Sequence, residues 1–370
     1  MTYKDALNHI FASYLSVKPL LKGKLDRETR KPEIILKLAR TLDLLPNAQK
    51  TLKITGSKGK GTVARLSANA LESQGKVGLL ISPEEIDHTD RMRINGVAIS
   101  KERFVACYEK LLPHLKQPQK PDYLSPYGLF LLIALQWFKE EGVEFFVIET
   151  GRGVRFDEGG QLPAHVGVVT SIFKEHADYL GPSLEEIKVD KLSITQSCTH
   201  LVLGNTDEAN NSLRPHWFAQ CQETAHEALT VFLGQSLPVP ACPVASFGQK
   251  GKWYYEGMIA CESADQVFLE RLIKQHQGHL RFILSLPDDK DIEGICELLA
   301  GLNATMEHVI LTGERGFLSY EKARLHTVCY EGPFDDVSAL QKALKLDETQ
   351  ASYFIGTQTF LRLIKQAYFL

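Results

Sequence analysis

The chain has 370 residues, of which 44% are hydrophobic and 24% charged, and its formal net charge is -3. That length supports two domains more readily than one, and the small net charge offers no global field for nucleic acid or an anionic membrane surface. Seven scattered cysteines without a CxxC pair argue against structural zinc and a disulfide framework, and fit a reducing compartment. The first residues lack the basic-then-apolar layout of a signal peptide, and the apolar run "GLFLLIALQWF" is too short to span a bilayer. These features predict a cytoplasmic protein.

Residues 1–50 are helical in tendency, and "RKPEIILKLARTLDLL" sets Ile34, Ile35, Leu38, Leu42 and Leu45 near one face. "TLKIT" (51–55) predicts a short buried strand, followed by a glycine-rich turn. "VARLSANALESQG" predicts a helix closed by Gly75, and "VGLLIS" the next strand. Strand, loop, helix, strand is the grammar of a parallel sheet. The pattern recurs: "YGLFLLIALQWFKEEG" (127–142) predicts a helix, and "VEFFVIET" (143–150) and "HVGVVTSI" (165–172) predict strands buried on both faces. Ser183 and the acids after it start a helix over 183–195, and "THLVLGN" (199–205) predicts a further strand. Order weakens between 205 and 250, where "SLPVPACPVASFGQKGK" carries clustered prolines and glycines. A boundary there divides the chain into domains 1–245 and 246–370. The second domain again alternates helix and strand.

The loop after "TLKIT" carries the chemistry. Gly56, Gly59 and Gly61 permit close approach of the main chain to a ligand. Their amides and the amino end of the next helix suit phosphate oxygens. Lys60 has the reach for terminal phosphates, Lys58 adds charge, and the Thr62 hydroxyl suits a phosphate or magnesium. The spacing departs from the standard P-loop, because Lys60 is followed by glycine and the hydroxyl comes one place later. A basic surface turn is the plainer alternative.

"ITGSKGKGT" resembles the phosphate loop of the Mur ligase superfamily, most of all its folylpolyglutamate synthase/dihydrofolate synthase branch, with Ser57 and Lys58 in place of the usual Thr-Asn. "SPEEIDHTDRMRINGVAIS" (82–100) is similar to the family segment that opens Ser-Pro-His and ends Arg-Ile-Asn-Gly. Ser82, Pro83, Arg91, Arg93, Ile94, Asn95 and Gly96 match, and Glu84 stands at the histidine. "IETGRGVRFD" (148–157), the block 168–194 and "DKDIEGICELLA" (289–300) also resemble family elements, in family order. The resemblance implies an α/β fold: a P-loop-containing parallel-sheet ATPase domain followed by a smaller Rossmann-like α/β domain. It implies an ATP-dependent ligase that joins a small-molecule carboxylate to an amine, glutamate or another amino acid, through an acyl phosphate. ATP and one or two magnesium ions are the implied cofactors. Neither nucleic acid nor membrane is an expected partner, and oligomeric state stays open.

Site roles follow from the resemblance. The nucleotide is expected on Gly56, Ser57, Lys58, Gly59, Lys60, Gly61 and Thr62, with Asp289, Lys290 and Asp291 contributing from the second domain across a cleft. Acids before a helix start are otherwise ordinary caps. Metal ligands are expected at Thr62, Ser82, Glu149, His176 and Lys191, and catalytic roles at Lys60, His176 and Lys191. On its own chemistry His176 reads as a polar turn residue, because magnesium prefers oxygen; the resemblance implies a second metal site. Lys191 alone reads as a surface lysine, and the resemblance implies its carbamylation into an anionic ligand. Arg152, Arg155 and Asp157 suggest an ion pair that shapes a loop.

The chain also departs from the family pattern. Where Asp-Gly-Ala-His-Asn usually opens the last domain, "YYEGMIACE" has Glu256-Gly257 but Ile259 and Ala260 at the His-Asn positions. The usual asparagine-bearing segment that holds the base has no counterpart between 205 and 247. A degenerate relative that binds nucleotide or a partner protein without ligating is therefore the alternative. A mechanical or regulatory P-loop NTPase is a third reading, and the "RMRING" and "DKDIEG" blocks argue against it.

Overall fold

The computed structural model describes residues 1–84, 86–204, 216–239, 247–258, 260–288, 290–311, 319–325, 329–332, 337–345 and 349–368. They fall into two compact units, Met1–Thr206 with Gln220–Cys242, and Asp207–Ala219 with Pro243–Leu370.

The first unit is built on a seven-stranded sheet. Its strands are β1 (Thr51–Thr55), β2 (Val77–Leu80), β3 (Met92–Ile94), β4 (Val97–Ala98), β5 (Phe145–Glu149), β6 (Ala164–Val169) and β7 (Cys198–Leu203), in spatial order β4-β3-β2-β5-β1-β6-β7. From β2 to β7 every pairing is parallel; β3 and β4 add an antiparallel edge. All five residues of β1 are buried, as a central parallel strand requires. The matched "RMRING" block is that edge hairpin: Asn95 and Gly96 both have positive φ, which a two-residue turn demands.

Helices cover the sheet for reasons visible in the sequence. Helix Pro126–Glu140 starts on a Ser125 cap with proline in its first turn, and ten of its residues are buried. Helix Leu184–Leu192 starts on the predicted Ser183, in a reciprocal capping box with Glu186. Helix Lys60–Leu71 stops four residues before Gly75, so Gly75 does not close it as predicted; the Glu72 amide bonds back to Ala68 instead. A core of aliphatic and aromatic side chains from helices Tyr3–Leu21, Pro32–Thr41, Lys101–Leu111 and Pro126–Glu140 packs together with Leu80, Met92 and Ile148.

The second unit has a six-stranded sheet of β8 (Phe247–Lys250), β9 (Trp253–Glu256), β10 (Leu280–Ser285), β11 (Thr305–Leu311), β12 (Cys329–Gly332) and β13 (Ala351–Gly356). Its order is β12-β11-β10-β13-β9-β8, parallel except for β8. The fold class predicted from the sequence, α/β with parallel sheets, is the one observed. Among the described residues no helix is long and apolar enough to cross a membrane.

Lys53, in the middle of β1, is fully buried and donates to Gly160 O at 2.7 Å and Ser197 Oγ at 2.6 Å. Burial pushes its ammonium down to about 8 from the ordinary 10.5. Between those values the unfolded chain holds a proton that the folded chain lacks, so this group adds stability as pH rises through the window. We expect urea denaturation to show wild type gaining about 3 kcal/mol on Lys53→Met between pH 8 and 10.5. A stability difference flat across that range would contradict this account.

Candidate active site

Parallel order places the carboxyl ends of β2, β5, β1 and β6 side by side, and every candidate residue of the first unit leaves from that edge or from the helices beside it. Residues 56–59 follow β1, Ser82 follows β2, Glu149 is the last residue of β5, and the segment carrying Glu175 and His176 follows β6.

The loop 56–59 is fastened to the exit of β6. Ser57 N donates to Ser171 O at 2.6 Å and Lys58 N to Ser171 Oγ at 3.1 Å, while Thr170 Oγ1 donates to Lys58 O at 2.6 Å. Ser57 Oγ bridges both ways to the Phe173 backbone. The sequence suggested that all these loop amides turn to a phosphate; those of Ser57 and Lys58 are instead spent on β6, because holding the loop rigid needs its own hydrogen bonds. What remains for an anion is the first turn of helix Lys60–Leu71, whose first intrahelical bond runs from Val63 N to Gly59 O. Gly59 caps that helix in a left-handed conformation, and Thr62 is buried in its first turn. Lys60 Nζ reaches back over the loop to Gly56 O at 2.8 Å and Ser57 O at 3.4 Å.

Glu149 is buried under this loop. Its Oε2 accepts from Ser82 N at 2.9 Å, and a methyl group built on Gly61 would lie 3.3 Å from the same oxygen. Burial pushes the carboxyl up to about 7, against the opposing pull of Lys60, the Ser82 amide, Arg65 and Arg91. Arg65 was not picked out in the sequence. Glu84, at the position of the usual histidine, is tied to Arg91 at 2.6 Å and to His88 at 3.3 Å. Burial works against its anion, but those cations hold the carboxyl well below the usual range. Arg91 and His88 both lie on the Phe130 ring.

On the other side stands an ion pair that the sequence did not reveal. Lys191 is not a surface lysine: it is fully buried, with Nζ 3.0 Å from Glu175 Oε1, 2.9 Å from Gly56 O and 3.2 Å from Arg152 O. Burial disfavours the Glu175 anion, yet Lys191, Lys60 and His176 bring it down to about 2. His176, in a left-handed conformation ahead of a short helix, holds Nε2 3.6 Å from Glu175 Oε2. Lys60 thus acts on both carboxylates, Glu149 and Glu175. "KEHADYLG" showed the acid beside the histidine, but only the fold supplies its buried lysine.

Arg152 and Asp157 of the 148–157 block take partners from the amino-terminal segment. Arg152 pairs with Asp26 through two nitrogens, at 2.8 and 2.5 Å, and Asp157 lies 3.4 Å from Arg30, which also binds Glu158. Arg155 instead lies over Phe156, so the suggested ion pair shapes the loop through Asp26 and Arg30. In the second unit, Asp291 caps helix Ile292–Gly301 through Gly294 N and accepts from Cys261 N at 2.9 Å. Lys290 N donates to Pro287 O. Asp289 and Ile259 lie outside the described residues, and Ala260 is buried. Glu256 is fully buried, accepting from Trp217 Nε1 at 2.7 Å and Tyr353 Oη at 2.5 Å.

Residues 54–235, which hold the loop, Ser82, Glu149, His176 and Lys191, match the Mur ligase middle domain. That segment belongs to the Mur ligase superfamily. Its relatives are in the folylpolyglutamate synthase/dihydrofolate synthase branch. The dihydrofolate synthase/folylpolyglutamate synthase of Bacillus subtilis is 30% identical over 192 residues, 50% of this chain and 45% of that protein. That of Escherichia coli is 29% identical over 172 residues, 46% and 40%. The sequence match thus spans less than half the length of these relatives. The bifunctional folylpolyglutamate synthase/dihydrofolate synthase of Yersinia pestis, solved with AMPPNP and Mn, shares the fold with a TM-score of 0.71 at 21% identity, over 91% of this chain and 93% of that one.

Among the described residues, no group of three or more His, Cys, Asp or Glu side chains is arranged to hold a metal ion. Four of the five expected metal ligands fall into two contact groups, Ser82 with Glu149 and His176 with Lys191 through Glu175, and the fifth, Thr62, is buried in the first turn of helix Lys60–Leu71. The oxygen-rich first group suits magnesium, which keeps waters and substrate phosphates in its shell.

Gly56 has φ 139°, and a methyl group there would fall 2.0 Å from Thr170 Oγ1. Gly56→Ala is expected to cost about 2–4 kcal/mol in urea denaturation and to abolish magnesium–AMPPNP binding in calorimetry. Unchanged stability and binding would contradict the close seating of the loop against β6.

Proposed function

We propose that this chain is an ATP-dependent ligase that joins a carboxylic acid to an amine through an acyl phosphate. The observation that carries the reading is the convergence of Lys60, Glu149 and Glu175 around a glycine loop at the carboxyl edge of a parallel sheet. Phosphoryl transfer asks a protein for positioning and charge neutralisation more than for covalent chemistry. The first-turn amides of helix Lys60–Leu71 and the Lys60 ammonium, held over the loop, would take the polyphosphate. Glu149, with the Ser82 and Thr62 hydroxyls, would hold a magnesium ion, which would supply neutralisation of the charge that develops in phosphoryl transfer. His176, 3.6 Å from Glu175 Oε2, would serve a second cation. A magnesium ion held at Glu149 would compete with the proton that burial favours there. Phosphorylating the acid replaces a poor oxide leaving group with phosphate, and the amine then attacks the acyl carbon.

The names of the relatives point to a folate-type acid and glutamate. Glutamate or another amino acid as the amine is consistent with them. Glu84 ties up Arg91 and His88 where the family has a histidine, which disfavours an ordinary pterin as the acid.

A second reading, a nucleotide-binding relative without ligase activity, draws on Glu256. At the position of the family's aspartate, its carboxylate is sealed by Trp217 and Tyr353. ADP release measured with magnesium across folates, short peptides and amino acids separates the two. The ligase reading predicts release that needs both an acid and an amine and falls at least ~100-fold in Lys60→Ala. Release indifferent to both co-substrates, or bound nucleotide never turned over, would overturn it.

A further inference from the structure

A cavity of about 780 Å3 opens in the second unit along the amino ends of its strands. Leu280, Thr305 and Ala351, the first residues of β10, β11 and β13, line it, and so does Lys252, just ahead of β9. Its volume is in the range of small-molecule sites. Glu256 and the Asp291 cap stand at the other end of these strands, the carboxyl end, where open α/β sheets keep their usual ligands.

The lining is basic. It brings Lys252, His276, His279, Arg281 and Lys345 together with one carboxylate among the described residues, Glu307. That carboxylate is spent on Arg281, which binds it through both Nε and Nη2. Three permanent cations less one carboxylate leave a charge of +2 with both imidazoles neutral. Lys252 Nζ donates to Thr349 O at 2.9 Å, which uses one of its three N–H bonds. Burial and the nearby Lys252 push the His276 ring below its ordinary pKa, a repulsion that a bound anion would relieve.

Basic residues near helix carboxyl ends ordinarily serve the last carbonyls or the dipole there. At helix Gln266–Gln275 main-chain amides already do so: His276 N bonds to Leu272 O, Gly278 N to Ile273 O and Gln277 N to Lys274 O. Lys252 precedes a strand and Arg281 lies within one, so helix capping does not account for them.

We propose that this cavity is a binding site for a small organic anion carrying two or more phosphate or carboxylate groups. The Lys252 and Lys345 ammonium groups hold it, with the His279 imidazole as a further donor. An apolar ligand would strip water from these cations and give nothing back. Lysine acts as a point charge, so either oxyanion suits it. The site lies wholly in the second unit, and the proposal does not depend on the ligase reading.

Calorimetric titration of the whole chain with pyrophosphate, and separately with citrate, in metal-free buffer tests it. The proposal predicts a saturable site for at least one of the two anions that persists in Lys60→Ala. Lys252 and Lys345 are both exposed, so Lys252→Gln and Lys345→Gln together should leave the fold intact and weaken that site at least ~10-fold. Lys252→Arg with Lys345→Arg keeps the charge and should keep the site. Whichever anion binds more tightly names the chemistry, phosphate or carboxylate. No saturable binding of either anion, loss of the site in Lys60→Ala or in the arginine pair, or equal affinity in wild type and the glutamine pair would overturn the proposal.

Discussion

Two lysine ammonium groups meet on one carbonyl oxygen, Gly56 O, at 2.8 Å from Lys60 and 2.9 Å from Lys191. Much of the site's arrangement depends on that convergence. Two cations so close repel each other, and the arrangement stands because buried carboxylates flank it, Glu149 on the β5 side and Glu175 on the β6 side. The loop between them is thus a strongly polar place built before any ligand arrives. Preorganised charge of this kind is what phosphoryl transfer uses, since it needs no rearrangement when charge develops.

The sheet makes this convergence possible. β1 lies between β5 and β6, so its loop is bracketed by the ends of both neighbours. Ser171, at the exit of β6, fixes the loop by accepting from the Ser57 amide on its carbonyl and from the Lys58 amide on its hydroxyl, and the Ser82 amide orients Glu149 from β2. The outer ring of ion pairs, Arg152 with Asp26 and Arg30 with Asp157 and Glu158, joins the amino-terminal helices to the turn after β5. These pairs are largely buried, where losing one partner strands a charge. They therefore link the helical cover to the geometry of the site.

The sequence made the sheet legible because its strands are continuous apolar runs that end in glycine, serine or acid. Loop, strand end and helix cap are local features, and Gly59, Glu149 and Ser183 show them within a few residues. The hairpin at Asn95-Gly96 is equally local. What stayed hidden is long-range. Lys191 and Glu175 are 16 residues apart, and Arg152 and Asp26 are 126 apart. Nothing in a one-dimensional pattern says that a lysine on a charged helix is buried, or which acid accompanies it. The use of the Ser57 and Lys58 amides by Ser171 was hidden for the same reason: a glycine-rich loop announces close approach but not what approaches.

The central claim is that residues 56–62 seat a nucleotide's polyphosphate with Glu149 opposite. Calorimetric titration of the intact chain with magnesium–AMPPNP, compared with Lys60→Ala and Glu149→Gln, tests it most directly. The account predicts saturable 1:1 binding in wild type that both variants weaken at least ~10-fold, with the Glu149→Gln loss tied to magnesium. Wild-type protein left unliganded at saturating nucleotide, or binding indifferent to both substitutions, would contradict it.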